Sequence, residues 1–107
     1  MRKLVIVTLA LAVTLPSVAV LATQAVTVTQ RGRTFSVKEI TVPHGGAINF
    51  TNEDDFAHQL NVRGPDMDVD SDMQAQGQTI SVPFPKAGQF EVRCGIHPRM
   101  HLTVRVE

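Results

Sequence analysis

The chain has 107 residues, ten Lys and Arg against ten Asp and Glu, and 43% hydrophobic residues, which suits one small folded domain and argues against disorder. It contains no Trp or Tyr and no basic stripe with interleaved aromatics, which excludes an ordinary nucleic-acid surface. A single cysteine excludes an internal disulfide and leaves that thiol free, bridged to another molecule, or bound to a metal.

Residues 1–22 start with Arg2 and Lys3, run apolar from Leu4 to Leu15, break at Pro16 and offer small-residue cleavage sites at Val20-Leu21-Ala22 or Thr23-Gln24-Ala25. This is the pattern of a secretory signal peptide. The alternative is an uncleaved membrane anchor, because Leu4 to Ala22 carries no charge. Either reading exports the domain, residues 23–107, to the periplasm or another extracytoplasmic space. Without Arg2 and Lys3 its net charge is about −2, too small to name a partner.

From residue 26 onward apolar and polar residues alternate with the period of half-buried strands. Val26 and Val28, Phe35 and Val37, Ile40 and Val42, Ile48 and Phe50, Leu60 and Val62, Ile80 and Val82, Phe90 and Val92, and Leu102, Val104 and Val106 mark inward faces. That predicts seven or eight short strands. The parity slips between Val37 and Ile40, which places a bulge or corner at Lys38-Glu39. Turn signals at Arg31-Gly32, Pro43 to Gly46, Arg63 to Pro65, Gln76-Gly77 and Ala87-Gly88 punctuate the strands at the spacing of an all-β, two-sheet Greek-key sandwich.

Residues 63–77 show no sustained period and are expected to form a long acidic loop, with Met67 and Met73 as apolar fillers beneath it. The alternating Asp66, Asp68, Asp70 and Asp72 lack the glycine and distal glutamate of an EF-hand calcium loop.

The run Cys94-Gly95-Ile96-His97-Pro98-Arg99-Met100 places a thiol, an imidazole and a thioether three residues apart. Thiolate, imidazole and a weak thioether are the donors of a blue-copper site, which needs one more histidine. His58 is the best candidate, at the end of the polar loop Asn52 to Ala57 and the start of a strand-like segment. The parity of Phe90 and Val92 carries Cys94 to the interior, and Gly95 and Pro98 turn the chain so that His97 and Met100 come from a loop. Zinc is the rival metal, but it favours a hard or thiolate fourth ligand over methionine. A catalytic Cys-His pair would leave the second histidine and Met100 without a role. His44, in a turn, and His101, after Met100, are expected to lie outside the site.

These residues resemble those of the cupredoxins, the type 1 blue-copper proteins. The resemblance spans residues 26–106. Val42 to Asn52 resembles the family's strand, turn and strand before its first ligand histidine, and Lys86 to Cys94 its penultimate strand. The two-residue gaps on either side of His97 are similar to the short-loop, amicyanin-like branch rather than to plastocyanin or pseudoazurin. Gln59 stands where the family usually has asparagine, Arg93 where an aromatic is common and Leu102 where glycine is frequent.

The resemblance implies an electron carrier, not an enzyme, that holds one copper ion through His58, Cys94, His97 and Met100 and cycles it between Cu(I) and Cu(II). It implies that His97 is the exit for the electron, within a docking patch of Ile96, Pro98 and Phe56 with Arg99 on the rim to steer an acidic partner. The expected partner is a redox protein such as a c-type cytochrome or an oxidoreductase, and the chain is expected to act as a monomer. The alternative function is a copper carrier or storage module that delivers the metal to an oxidase.

Overall fold

The computed structural model describes residues 2–16 and 25–107. Residues 2–16 carry no regular secondary structure, and the proposed cleavage point after Ala22 lies outside the described residues. Among the described residues no helix is long and apolar enough to cross a membrane.

The described residues form nine strands: β1 (Val26–Arg31), β2 (Thr34–Phe35), β3 (Glu39–Val42), β4 (Gly46–Asn52), β5 (Leu60–Gly64), β6 (Met67–Asp70), β7 (Thr79–Phe84), β8 (Gly88–Cys94) and β9 (His101–Val106). They form a four-stranded sheet in the order β2-β1-β4-β7 and a five-stranded sheet in the order β3-β9-β8-β5-β6. Each sheet is mixed, because β1 runs parallel to β4 and β3 parallel to β9. The two inner faces meet over a core that includes Ile48 and Phe50 of β4, Leu60 and Val62 of β5, Phe90 and Val92 of β8, and Leu102 and Val104 of β9. The alternation read from the sequence therefore describes a two-sided packing in which every second side chain is removed from water.

The expected corner at Lys38-Glu39 is where the chain leaves one sheet and enters the other: β2 pairs with β1, whereas β3 pairs with β9. Two residues expected to face inward do not. Val26 starts β1 beyond the edge of the core, and Val37 lies in the crossover between sheets, so both are exposed.

The expected acidic loop of residues 63–77 is a correction as well. Its first half is a hairpin in which Gly64 pairs with Met67 and Asn61 with Asp70. An apolar–polar pattern is missing because β6 is an edge strand whose side chains are largely exposed. Instead, Arg63 binds Asp68 at 2.9 Å and Asp70 at 2.7 Å, so opposite charges across the ladder replace apolar burial. Met67 packs against the core as expected, but Met73 is exposed.

Candidate metal centre

Strand β8 alternates so that Phe90, Val92 and Cys94 share its inner face, and Cys94 ends the strand buried. The chain then turns through Gly95 to Met100 before β9 begins, and the Met100 N–H donates to the His97 carbonyl at 2.9 Å to close that turn. Because β8 and β9 are paired along their length, with Arg93 opposite His101, both ends of the loop are fixed by the sheet.

His58 comes from a different part of the fold. It precedes β5, which pairs with β8 so that Leu60 lies opposite Cys94. Its backbone forms an isolated bridge with Gln74, accepting at 2.7 Å and donating at 3.0 Å. The imidazole is wholly buried.

These elements bring three donors together. His58 Nδ1 and His97 Nδ1 are 3.1 Å apart, and Cys94 Sγ lies 3.6 Å from the first and 3.5 Å from the second. A point equidistant from three atoms so arranged is about 2 Å from each, which is the length of first-row metal bonds to imidazole nitrogen and thiolate, roughly 2.0–2.3 Å. The donor set is soft and contains no carboxylate: among the described residues the cluster of metal-binding side chains is His58, Cys94 and His97. A single copper ion fits this triangle better than zinc, for which no hard fourth ligand is at hand.

Met100, the fourth residue singled out in the sequence, is buried in the same core cluster as Cys94. His44 and His101 lie outside the triangle. His44 Nδ1 is 2.9 Å from the Glu107 carbonyl, and His101 pairs with Glu91 across β8 and β9.

Asp54 was not legible as part of the site. Its Oδ2 lies 2.8 Å from His58 Nε2, and a carboxylate only accepts, so Nε2 carries the proton and Nδ1 presents its lone pair to the metal position. Asp54 is itself held by the backbone N–H groups of Gly32 at 2.7 Å and Arg33 at 3.3 Å. Those two residues form the two-residue turn between β1 and β2, both with positive φ of 62° and 56°. Burial alone would raise the Asp54 pKa, but the bonds from His58, Gly32 and Arg33 outweigh it and hold the carboxyl below its ordinary range.

His97 is half-buried, and burial, with the positive charge of Arg33, pushes its pKa below the ordinary 6.5. It is therefore neutral near pH 7, as a metal-binding imidazole must be. The Phe56 ring stands edge-on to both imidazoles, 5.2 Å from His58 and 5.4 Å from His97 between centroids. Phe56 thus walls the site.

The side chain of Gln59 takes the place expected of asparagine, but reaches elsewhere. Its backbone N–H points at Cys94 Sγ at 3.4 Å, its carbonyl accepts from Gly95 at 3.1 Å, and its amide donates to the Ser71 carbonyl at 3.0 Å. The longer side chain spans to the segment after β6 and lies directly over Gly95, where a β-carbon would come within 2.1 Å of Gln59 Oε1.

The family model of the cupredoxin-like domain matches residues 3–106. Among solved structures the chain is similar to an oxidised point mutant of amicyanin, with 25% identity, a TM-score of 0.71, and coverage of 83% of this chain and 88% of that one. It is also similar to the copper-containing nitrite reductase NirK from Thermus scotoductus, with 29% identity and a TM-score of 0.71 over 78% of this chain; the match spans 22% of the reductase chain. A purple cupredoxin from Nitrosopumilus maritimus shares the fold at 17% identity, with a TM-score of 0.69 over 77% of this chain and 99% of that one. No curated protein sequence matches.

Proposed function

This chain belongs to the cupredoxin-like family, and from that premise we propose that it is an exported blue-copper electron carrier. It binds one copper ion, and the copper supplies a one-electron couple. The observation that carries the reading is the convergence of Cys94 Sγ with the two Nδ1 atoms of His58 and His97 at one end of a rigid sandwich. His58 and Cys94 come from or abut paired strands, so the donors keep their places when the charge at the site changes. Met100 is the fourth ligand. His97, the half-buried member of the triangle beside the fully buried His58 and the buried Cys94, is the route for the electron, with Ile96, Pro98, Phe56 and Arg99 around it to meet a redox protein such as a c-type cytochrome or an oxidoreductase.

Residues 1–22 direct export, with cleavage after Ala22 or Ala25, and the mature domain works as a monomer outside the cytoplasm. The role is that of a carrier rather than an enzyme, with the three donors of the triangle given to the metal. A delivery module would need an open, exchangeable site, whereas the burial of His58 and Cys94 favours retention.

Absorption and EPR spectra of the copper(II) protein, with metal analysis of protein purified from its native compartment, test the reading. An intense visible thiolate-to-copper band with narrow copper hyperfine splitting is expected, and both should vanish in Cys94→Ser. A colourless protein with bound zinc, or colour that survives Cys94→Ser, would overturn it.

A further inference from the structure

The turn between β1 and β2 contributes a residue to the surface beside His97 that the cysteine loop alone does not reveal. Arg33 lies 66 positions before Arg99 in sequence, yet both line one open cleft of about 470 Å³ together with Ile96, His97 and Pro98. The Arg33 guanidinium stacks over the Phe56 ring, 4.8 Å from its centroid. Its backbone N–H is held by Asp54, so the charge stands on a fixed turn.

Several other cations are paired, Arg31 with Glu53 at 3.0 Å, Arg63 with Asp68 and Asp70, and Lys86 with Asp66, whereas Lys38 and Arg93 have no carboxylate partner among the described residues but do not line this cleft. Among the described residues neither Arg33 nor Arg99 has a carboxylate partner. Ile96 is 46% exposed between them. An apolar patch flanked by two uncommitted guanidiniums, on a chain with no overall positive charge, is complementary to an acidic rim around an apolar contact.

We propose that Arg33 and Arg99 form a carboxylate-receiving cleft over His97 that docks the acidic face of a redox protein. This rests on His97 being the electron exit. The guanidiniums engage the partner's carboxylates, Ile96 and Pro98 fill the apolar centre, and the approach is accelerated by the field of the pair.

The test uses one partner fold with two charges: mitochondrial cytochrome c, which is basic, and the same protein with its lysines succinylated, which is acidic. Backbone amide shifts of the copper(I) protein and of the metal-free protein are followed as each is added at low ionic strength. The succinylated form is expected to shift Arg33, Ile96 and Arg99, with affinity about tenfold lower in Arg33→Gln/Arg99→Gln and falling with salt. The basic form is expected to leave these residues unmoved. Equal response to both forms, a double variant that binds as well as the parent, or shifts confined to the opposite end near Pro83 and Lys86 would overturn the cleft. Because binding is read without electron transfer, a protein that docks the acidic form but shows no blue-copper spectrum would refute the carrier role alone.

Discussion

His58 Nε2 donates to Asp54 Oδ2 at 2.8 Å, and this bond decides which nitrogen of His58 faces Cys94. The carboxylate also accepts from Gly32 and Arg33, so one side chain ties a ligand to the turn that borders the docking cleft. Asp54→Ala is expected to weaken copper binding roughly 10–100-fold, as loss of a histidine's outer partner does. Removing a negative charge beside the copper also raises its reduction potential. In the metal-free protein the lost charge-assisted bonds cost roughly 2–4 kcal/mol. Asp54→Asn keeps an acceptor and should recover most of the affinity while still raising the potential. Competition titration and voltammetry read both effects, and an Asp54→Ala protein with parental affinity and potential would contradict them.

The strand alternation and the Cys94 to Met100 run were readable because each is a local pattern: period two along a strand, three-residue spacing along a loop. His58 could be chosen from its place before a strand. Asp54 could not, because nothing local distinguishes a carboxylate that turns inward to a histidine from its neighbours Glu53 and Asp55. Arg33 escaped for a related reason: its closeness to His97 depends on the β1–β4 and β5–β8 pairings, which bring distant turns to one end of the sandwich. β6 was missed because ion pairs with Arg63, rather than buried apolar side chains, hold its ladder.

Gly95 makes room for its neighbour, since a β-carbon there would meet Gln59 Oε1 at 2.1 Å and the Asn61 side-chain amide at 3.1 Å. Gly95→Ala must displace the Gln59 side chain and break its bond to Ser71. The expected cost is about 1–3 kcal/mol, the range for overpacking, with a broadened thiolate-to-copper band as the cysteine loop shifts. Gln59→Ala in the Gly95→Ala background removes the obstructing atoms. Denaturant unfolding of the two single variants and the double should therefore show the double to be less destabilised than the sum. Strict additivity would mean that Gln59 does not press on this loop.

Glu91 gives the fold a pH dependence away from the metal ligands. Burial tends to raise its pKa, but bonds from His101, Gln89 and Thr103 more than offset this and bring it below the ordinary 4.5. A depressed carboxylate stabilises the folded state fully above its unfolded value and loses that contribution as pH falls through the lower folded value. Stability should accordingly decline below about pH 4.5, and Glu91→Gln should flatten that acid limb. Urea midpoints of the metal-free protein between pH 3 and 6, roughly spanning the carboxylate range, provide the measurement. An acid limb unchanged in Glu91→Gln would assign it to other carboxylates.

Beneath His58 lies a buried amide pair whose role is separable by substitution. Gln74 accepts from Gln30 Nε2 at 2.7 Å and donates to the carbonyls of Phe50 at 2.8 Å and Gln78 at 2.6 Å. Both glutamines are fully buried, and Gln30 Oε1 already has no hydrogen-bond partner among the described residues. Gln74→Leu therefore leaves the Gln30 amide wholly unpaired in the interior, at an expected cost of roughly 2–4 kcal/mol. Adding Gln30→Leu removes the stranded group, so the double variant should be no less stable than Gln74→Leu alone, because replacing both partners of a buried bond avoids the desolvation penalty. The backbone bridge between Gln74 and His58 survives in either case, so a double variant that folds is expected to keep its copper spectrum. Thermal unfolding and the visible spectrum, measured on the same samples, decide the matter: a double variant weaker than Gln74→Leu would show that the two amides stabilise the sandwich beyond satisfying each other.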